Sequence, residues 1–215
     1  MSSRQIFSRG VVAVAALLMV SGCSDTGGSA ALSPTGLGAP SASSLIGGPE
    51  YADVSNQSAA GGGVYAANGA MLVRQPNGLR ASVTVPTPQP GMYVYPPGRT
   101  SGHPEVFTLW AFIFNNPDMC SDPCDANDLG AGTAAKGGAY NVGGHVTSGN
   151  SMTIAGQIRV GDPPFNPAHA PLELPATAEV HLAIAPHGHV DSSAYPNEFR
   201  TPAGSLPMWW TAMFH

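Results

Sequence analysis

Three segments of this chain alternate apolar and polar side chains with a period of two, and that pattern limits the fold more than any other feature. Leu79, Ala81, Val83 and Val85 alternate with Arg80, Ser82 and Thr84. Met152, Ile154, Gly156, Ile158 and Val160 alternate with Ser151, Thr153, Ala155, Gln157 and Arg159. Ala178, Val180, Leu182 and Ile184 alternate with Thr177, Glu179, His181 and Ala183. A two-residue period puts successive side chains on opposite faces, so each segment reads as a strand with one wet face. No segment sustains a helical period over three turns. Gly and Pro together make 48 of the 215 residues, a content that favours a loop-rich β protein over a helical bundle.

Further strands follow from composition. Val106 to Phe114 (VFTLWAFIF) is apolar on both parities and ends at Asn115-Asn116-Pro117, which predicts a central buried strand. Asn77-Gly78 is a turn signal, with Ala70 to Val73 as the hairpin partner of the 79–85 strand. Met92 to Tyr95 is expected as an edge strand between prolines, Asn141 to Val146 as a weak strand, and Met208 to Phe214 as the last one. Six to nine short antiparallel strands predict an all-β fold, a single β-sandwich or barrel. It is assigned to residues 49–215.

The N-terminus reads as an address. Arg4 and Arg9 precede an unbroken apolar run, Val11 to Val20. Ten residues span roughly 15 Å as a helix, about half a bilayer core, so this is a signal h-region and not a membrane span. Val20-Ser21-Gly22-Cys23 follows and resembles the lipobox of bacterial lipoproteins. The resemblance implies removal of residues 1–22 and acylation of Cys23 with diacylglycerol and a fatty acid such as palmitate. It also implies a protein held at the cell membrane or outer membrane by its lipid, outside the cytoplasm. The mature chain would have 193 residues, with six basic against thirteen acidic ones, a net charge of −7. That balance carries no nucleic-acid footprint. Residues 23–48 are rich in Ser, Gly, Ala and Pro and read as a disordered tether.

Two cysteines remain. In an exported chain Cys120 and Cys124 are expected to form a disulfide that fixes a turn. A redox role is disfavoured because their spacing is not C-x-x-C, and zinc would need two more ligands. Asp118, Asp122, Asp125 and Asp128, with Asn127, surround the pair. Four carboxylates in a loop are a candidate calcium set, but the D-x-D-x-D-G core of an EF-hand is absent, and a solvated loop is the reading adopted.

Seven histidines raise a metal reading. His187-Gly188-His189 shares parity with Glu179 and His181, and His145 and His103 are further candidates. Zinc or copper suits imidazole best. An H-x-H on a barrel strand resembles the cupin pattern, which places a Glu four or five residues later. Ser193 and Ala194 stand in that window here. Pro186 is expected to end the strand and leave His187 and His189 in an exposed loop, so no metal and no cofactor is expected.

Catalytic signatures are lacking. There is no G-x-S-x-G and no H-E-x-x-H. Gly130-Ala131-Gly132 with Ala135 follows an acidic loop and not a strand, so it is no dinucleotide fingerprint. Trp110, Trp209, Trp210, Phe107, Phe112 and Phe114 are assigned to core packing, with a ligand-binding wall as the alternative. The stretches TLWAFIFNNPDMC and AEVHLAIAPHGHV resemble segments of uncharacterised secreted bacterial β proteins. The EVHLAI strand with its nearby histidines is similar to CHRD-type extracellular domains. Neither group supplies an activity to carry over.

The expectation is therefore a lipid-anchored cell-envelope module, binding or structural, without catalytic activity. Its partners would be the membrane, through the lipid, and an envelope protein or small molecule. Two alternatives stand beside it. One is a metal-dependent enzyme using His181, His187, His189 and His145. The other is a barrel that carries a hydrophobic ligand.

Overall fold

The computed structural model describes residues 46–56, 63–89, 92–93, 95, 104–121, 123–196, 199 and 210–215. Cys23, the tether up to residue 45, His103, Asp122 and Trp209 lie outside them. Eight strands form one sheet: β1 (Glu50–Asn56), β2 (Val64–Gln75), β3 (Gly78–Pro86), β4 (Glu105–Phe114), β5 (Gly137–Val146), β6 (Ser151–Arg159), β7 (Glu179–His189) and β8 (Trp210–Phe214). Their order is β5-β4-β7-β8-β1-β2-β3-β6 and every neighbouring pair is antiparallel. The sheet curls until it is nearly a closed barrel.

At the seam between β5 and β6 the backbones touch without a hydrogen-bonded ladder. A Cβ on Gly156 would stand 2.1 Å from the Val142 carbonyl oxygen, and one on Gly143 would stand 3.1 Å from that of Ala155. Only glycine permits so close an approach.

The expected alternation sets the inside of the barrel. Val83 of β3, Ile154 of β6 and Leu182 of β7 point into one core, joined by Phe107 and Leu109 from β4. Trp210 lies between Tyr65 and Phe107, with near-parallel rings at centroid distances of 4.4 and 5.9 Å. Phe107 and Trp210 are thus core residues. Trp110, by contrast, lies on the outer face against Ala183 and Ala185, with Phe165 edge-on to it at 5.0 Å.

β4 has β5 on one side and β7 on the other, which is the central position its composition predicts. Both of its faces are buried, for different reasons. The odd residues fill the barrel. The even residues are covered from outside by two loops, 115–136 and 160–178, with Phe114 against Cys124 and Ala135. Asn115 fastens both loops. Its amide donates to the carbonyls of Lys136 and Pro171, at 2.9 Å each, and its carbonyl accepts from Glu173 and Leu174, at 2.7 and 3.2 Å. The side chain is 2% exposed, and all four of its ordinary bonds are made. Arg74 makes a comparable clasp at that end of the barrel, with Glu50 at 2.7 Å and the carbonyls of Pro175 and Ala178 at 2.9 and 2.6 Å.

The structure corrects three expectations and adds a strand. Met92 and Tyr93 lie in a bend and not in an edge strand. Pro186 does not end its strand: β7 continues to His189. The 70–73 partner strand is the end of a longer β2, and β1 was not foreseen, because Glu50-Tyr-Ala-Asp-Val-Ser-Asn sends only Val54 fully into the core.

Asn115→Ala is expected to destabilise the domain by about 2–4 kcal/mol, because several buried backbone groups lose their partner at once. Thr84→Ala, which removes an exposed hydroxyl pair with Thr153, should change stability by less than about 0.5 kcal/mol. Urea unfolding of both variants checks the contrast.

Candidate functional site

The outer faces of β4, β7 and β8 form the floor of a groove of about 260 Å³. Phe112, Phe114, Ala183 and Met213 supply most of its apolar lining, and His181 and Thr211 also face it. The loop around Cys120 and Cys124 forms the lip, through Pro123, Cys124 and Leu129. The disulfide expected from sequence is present.

Two of the acidic residues near the bridge, Asp125 and Asp128, are occupied in shaping that loop. Asp128 Oδ2 accepts from the backbone N–H of Asp125 at 3.0 Å, and from the hydroxyl and N–H of Ser121 at 3.1 and 3.4 Å. These donors, led by the Asp125 N–H, hold the Asp128 carboxyl below its ordinary pKa of 3.8. Asp125 in turn accepts from the Asn127 N–H at 2.7 Å and closes a capping box with Asp128. Asp118 sits in the short 3-10 turn Pro117–Met119. Asp122 lies outside the described residues.

β7 does not bring its three histidines together. Between Phe107 and Val106 of β4 the register of β7 slips, with Pro186 opposite Phe107 and Gly188 opposite Val106, so His187 is the extra residue of a bulge. Gly188, at φ +91°, supplies the left-handed backbone there. In an unbroken strand the H-x-H would share a face. The bulge leaves His187 on the outer face and puts His189 opposite Glu105, which has the parity of the barrel-facing residues. His187 is not in an exposed loop. It is fully buried, with Nε2 at 2.7 Å from the Thr108 hydroxyl, which itself accepts from Trp110 Nε1 at 2.9 Å. His181 lies six residues back, about 20 Å along the strand. His145 is opposite Phe107 on β5, with a buried Nε2 that has no hydrogen-bond partner. Among the described residues no group of three or more His, Cys, Asp or Glu side chains is placed to hold a metal ion.

His181 meets Glu179, which shares its parity, and through it His215, which the sequence did not place beside it. Its Nε2 lies 2.6 Å from Glu179 Oε1, and His215 Nδ1 lies 3.0 Å from the other oxygen of the same carboxylate. Glu179 and His181 are both nearly buried, whereas the His215 side chain is 70% exposed. Phe114 meets the His181 ring edge-on at 5.3 Å. Burial lowers the pKa of His181, and the Glu179 carboxylate opposes that shift only in part. Met213 stands directly across from His181 on β8. Sequence reasoning missed Glu179, Met213 and His215 as a group. The signal was available in Trp210-Thr-Ala-Met-Phe-His215, where Thr211, Met213 and His215 alternate with the core residues.

No family model matches this chain, and neither the curated proteins nor the solved structures hold a match.

Two pH effects follow. Asp128 has a lowered folded pKa, so its contribution is present above pH 3.8 and fades as pH falls through the folded value. The stability gap between the wild type and Asp128→Asn should narrow as the pH drops from 5 to below 3. His181 is also lowered, so protons bind the unfolded chain first and stability should fall as pH drops below 6.5. His181→Gln should flatten that slope. Chemical denaturation across the range measures both, and parallel profiles for wild type and variants would contradict them.

Proposed function

We propose that this chain is a lipid-anchored cell-envelope binding module without catalytic activity. The observation that carries the reading is the apolar groove on the outer face of β4, β7 and β8, with its lip locked by a disulfide. A small apolar group of a ligand or partner matches its size and lining. The VSGC box and the Ser/Gly/Ala/Pro tether support a domain held at a membrane surface, outside the cytoplasm. A disulfide between cysteines this close in sequence suits an oxidising compartment.

The polar side chains around the groove have structural work. Asp128 and Asp125 shape the lip, and Glu179 accepts from two imidazoles. This favours binding over hydrolysis. The alternative enzyme needs His181, His187, His189 and His145 in one place, and their positions on β5 and β7 do not favour it. The carrier alternative needs interior space, and Trp210, Phe107, Leu109 and their neighbours occupy the barrel.

Cys23→Ser tests the anchor. The variant should leave the membrane fraction and appear as soluble or unprocessed protein. Unchanged membrane association would contradict the lipid anchor. In the wild-type envelope protein, Cys120 and Cys124 should resist alkylation until a reductant is added, and free thiols in untreated protein would contradict an exported chain.

A further inference from the structure

The outer face at the open end of the groove carries four donor side chains in one block. Glu179 and His181 are two apart on β7; Met213 is on β8, and His215 directly follows Phe214, the last residue of β8. Val180 pairs with Phe214 and His181 with Met213, so the block is two by two on one face. Directly opposed side chains in an antiparallel pair have Cβ atoms about 5 Å apart.

The hydrogen bonds decide which atoms remain for a ligand. Glu179 accepts from His181 Nε2 and His215 Nδ1, so each ring carries its proton on the nitrogen that faces the carboxylate. Each ring keeps one lone pair, on His181 Nδ1 and on His215 Nε2. Metal-binding imidazoles are commonly held this way, with the second N–H donated to a carboxylate that fixes ring and tautomer. Here one carboxylate does it for two rings. The third donor is the Met213 thioether, which lines the groove beside His181 and is 43% exposed.

From this block the geometry points to a soft-metal site that binds Cu(I) through His181, Met213 and His215, with Glu179 as the orienting carboxylate. The set holds one thioether, two imidazoles and no free carboxylate. Zinc also accepts imidazole, so the thioether sets this block apart: it is neither the thiolate nor the oxygen donor that completes many zinc sites and all calcium sites. Thioether ligands select Cu(I), which accepts two or three soft donors. Sequence reasoning expected no metal and named His181, His187 and His189 as the candidates; the β7 bulge separates the last two, and His181 stands across from Met213. The inference deepens the binding-module reading at the same groove. Its failure would leave the anchor experiment unaffected.

The test uses the full chain carrying Cys23→Ser, which removes a competing thiol far from the block in sequence. Ag(I) serves as a redox-inert soft probe, and Cu(I) under ascorbate is measured by competition with bicinchoninate. One Ag(I) or Cu(I) per chain is expected, with a shift of the Met213 methyl resonance on saturation. Met213→Leu keeps the side-chain volume at a half-exposed position, so its fold should be intact. It should weaken Ag(I) and Cu(I) at least tenfold, and His181→Gln should do the same, whereas His189→Gln should leave affinity unchanged. No saturable binding, Zn(II) bound more tightly than Ag(I), or affinity unaltered by Met213→Leu would overturn the site.

Discussion

The two-sided burial of β4 is the constraint on which the rest of the molecule depends. A strand with Phe107, Leu109 and Ile113 on one face and Trp110, Phe112 and Phe114 on the other cannot leave either face in water. The barrel covers the first face. The second needs an added layer, and the chain supplies it with the 115–136 and 160–178 loops. Fixing two long loops against a strand opposes their conformational entropy, at about 1–2 kcal/mol per ordered residue. Asn115 reaches both loops from the end of β4, Cys120–Cys124 stiffens the first, and Asp128 closes its turn.

The groove is a by-product of that layer. The disulfide loop stops over Phe114 and Phe112 and does not continue across β7 and β8, so Thr211 and Met213 stay open beside it, next to the buried Ala183. An apolar floor with a rigid lip is thereby placed on the outer face, far from the barrel interior. The same edge gathers Glu179, His181, Met213 and His215. Their arrangement follows from strand register, whereas loop placement decides the lip.

Much of this was legible in the sequence, because period-two alternation follows directly from strand geometry. The inward sets of β3 and β7 were read residue by residue, that of β6 only as far as Ile158, because Val160 lies past the strand and is exposed, and the double apolar parity of β4 gave its central position. The disulfide was expected from two cysteines four residues apart in a chain whose N-terminus reads as a signal segment. β1 was not legible, since Glu50, Asp53 and Asn56 mask a strand held by its neighbours β2 and β8. The fate of His187 was not legible either. A bulge changes parity by one residue, and nothing in His-Gly-His announces it except the glycine itself. The block around Glu179 was hidden because its members lie 36 residues apart and meet only when β8 pairs with β7.

The central claim is that the outer layer and the barrel are one cooperative unit joined through β4. Native-state hydrogen exchange on the disulfide-intact chain tests it most directly. The amides of Asn116, Gly130, Lys136 and Ala170, whose bonds hold the outer layer, should exchange with the same opening free energy as those of Leu109 and Leu182 in the core strands. Exchange of the outer-layer amides through a separate, low-energy opening while β4 and β7 stay protected would contradict it.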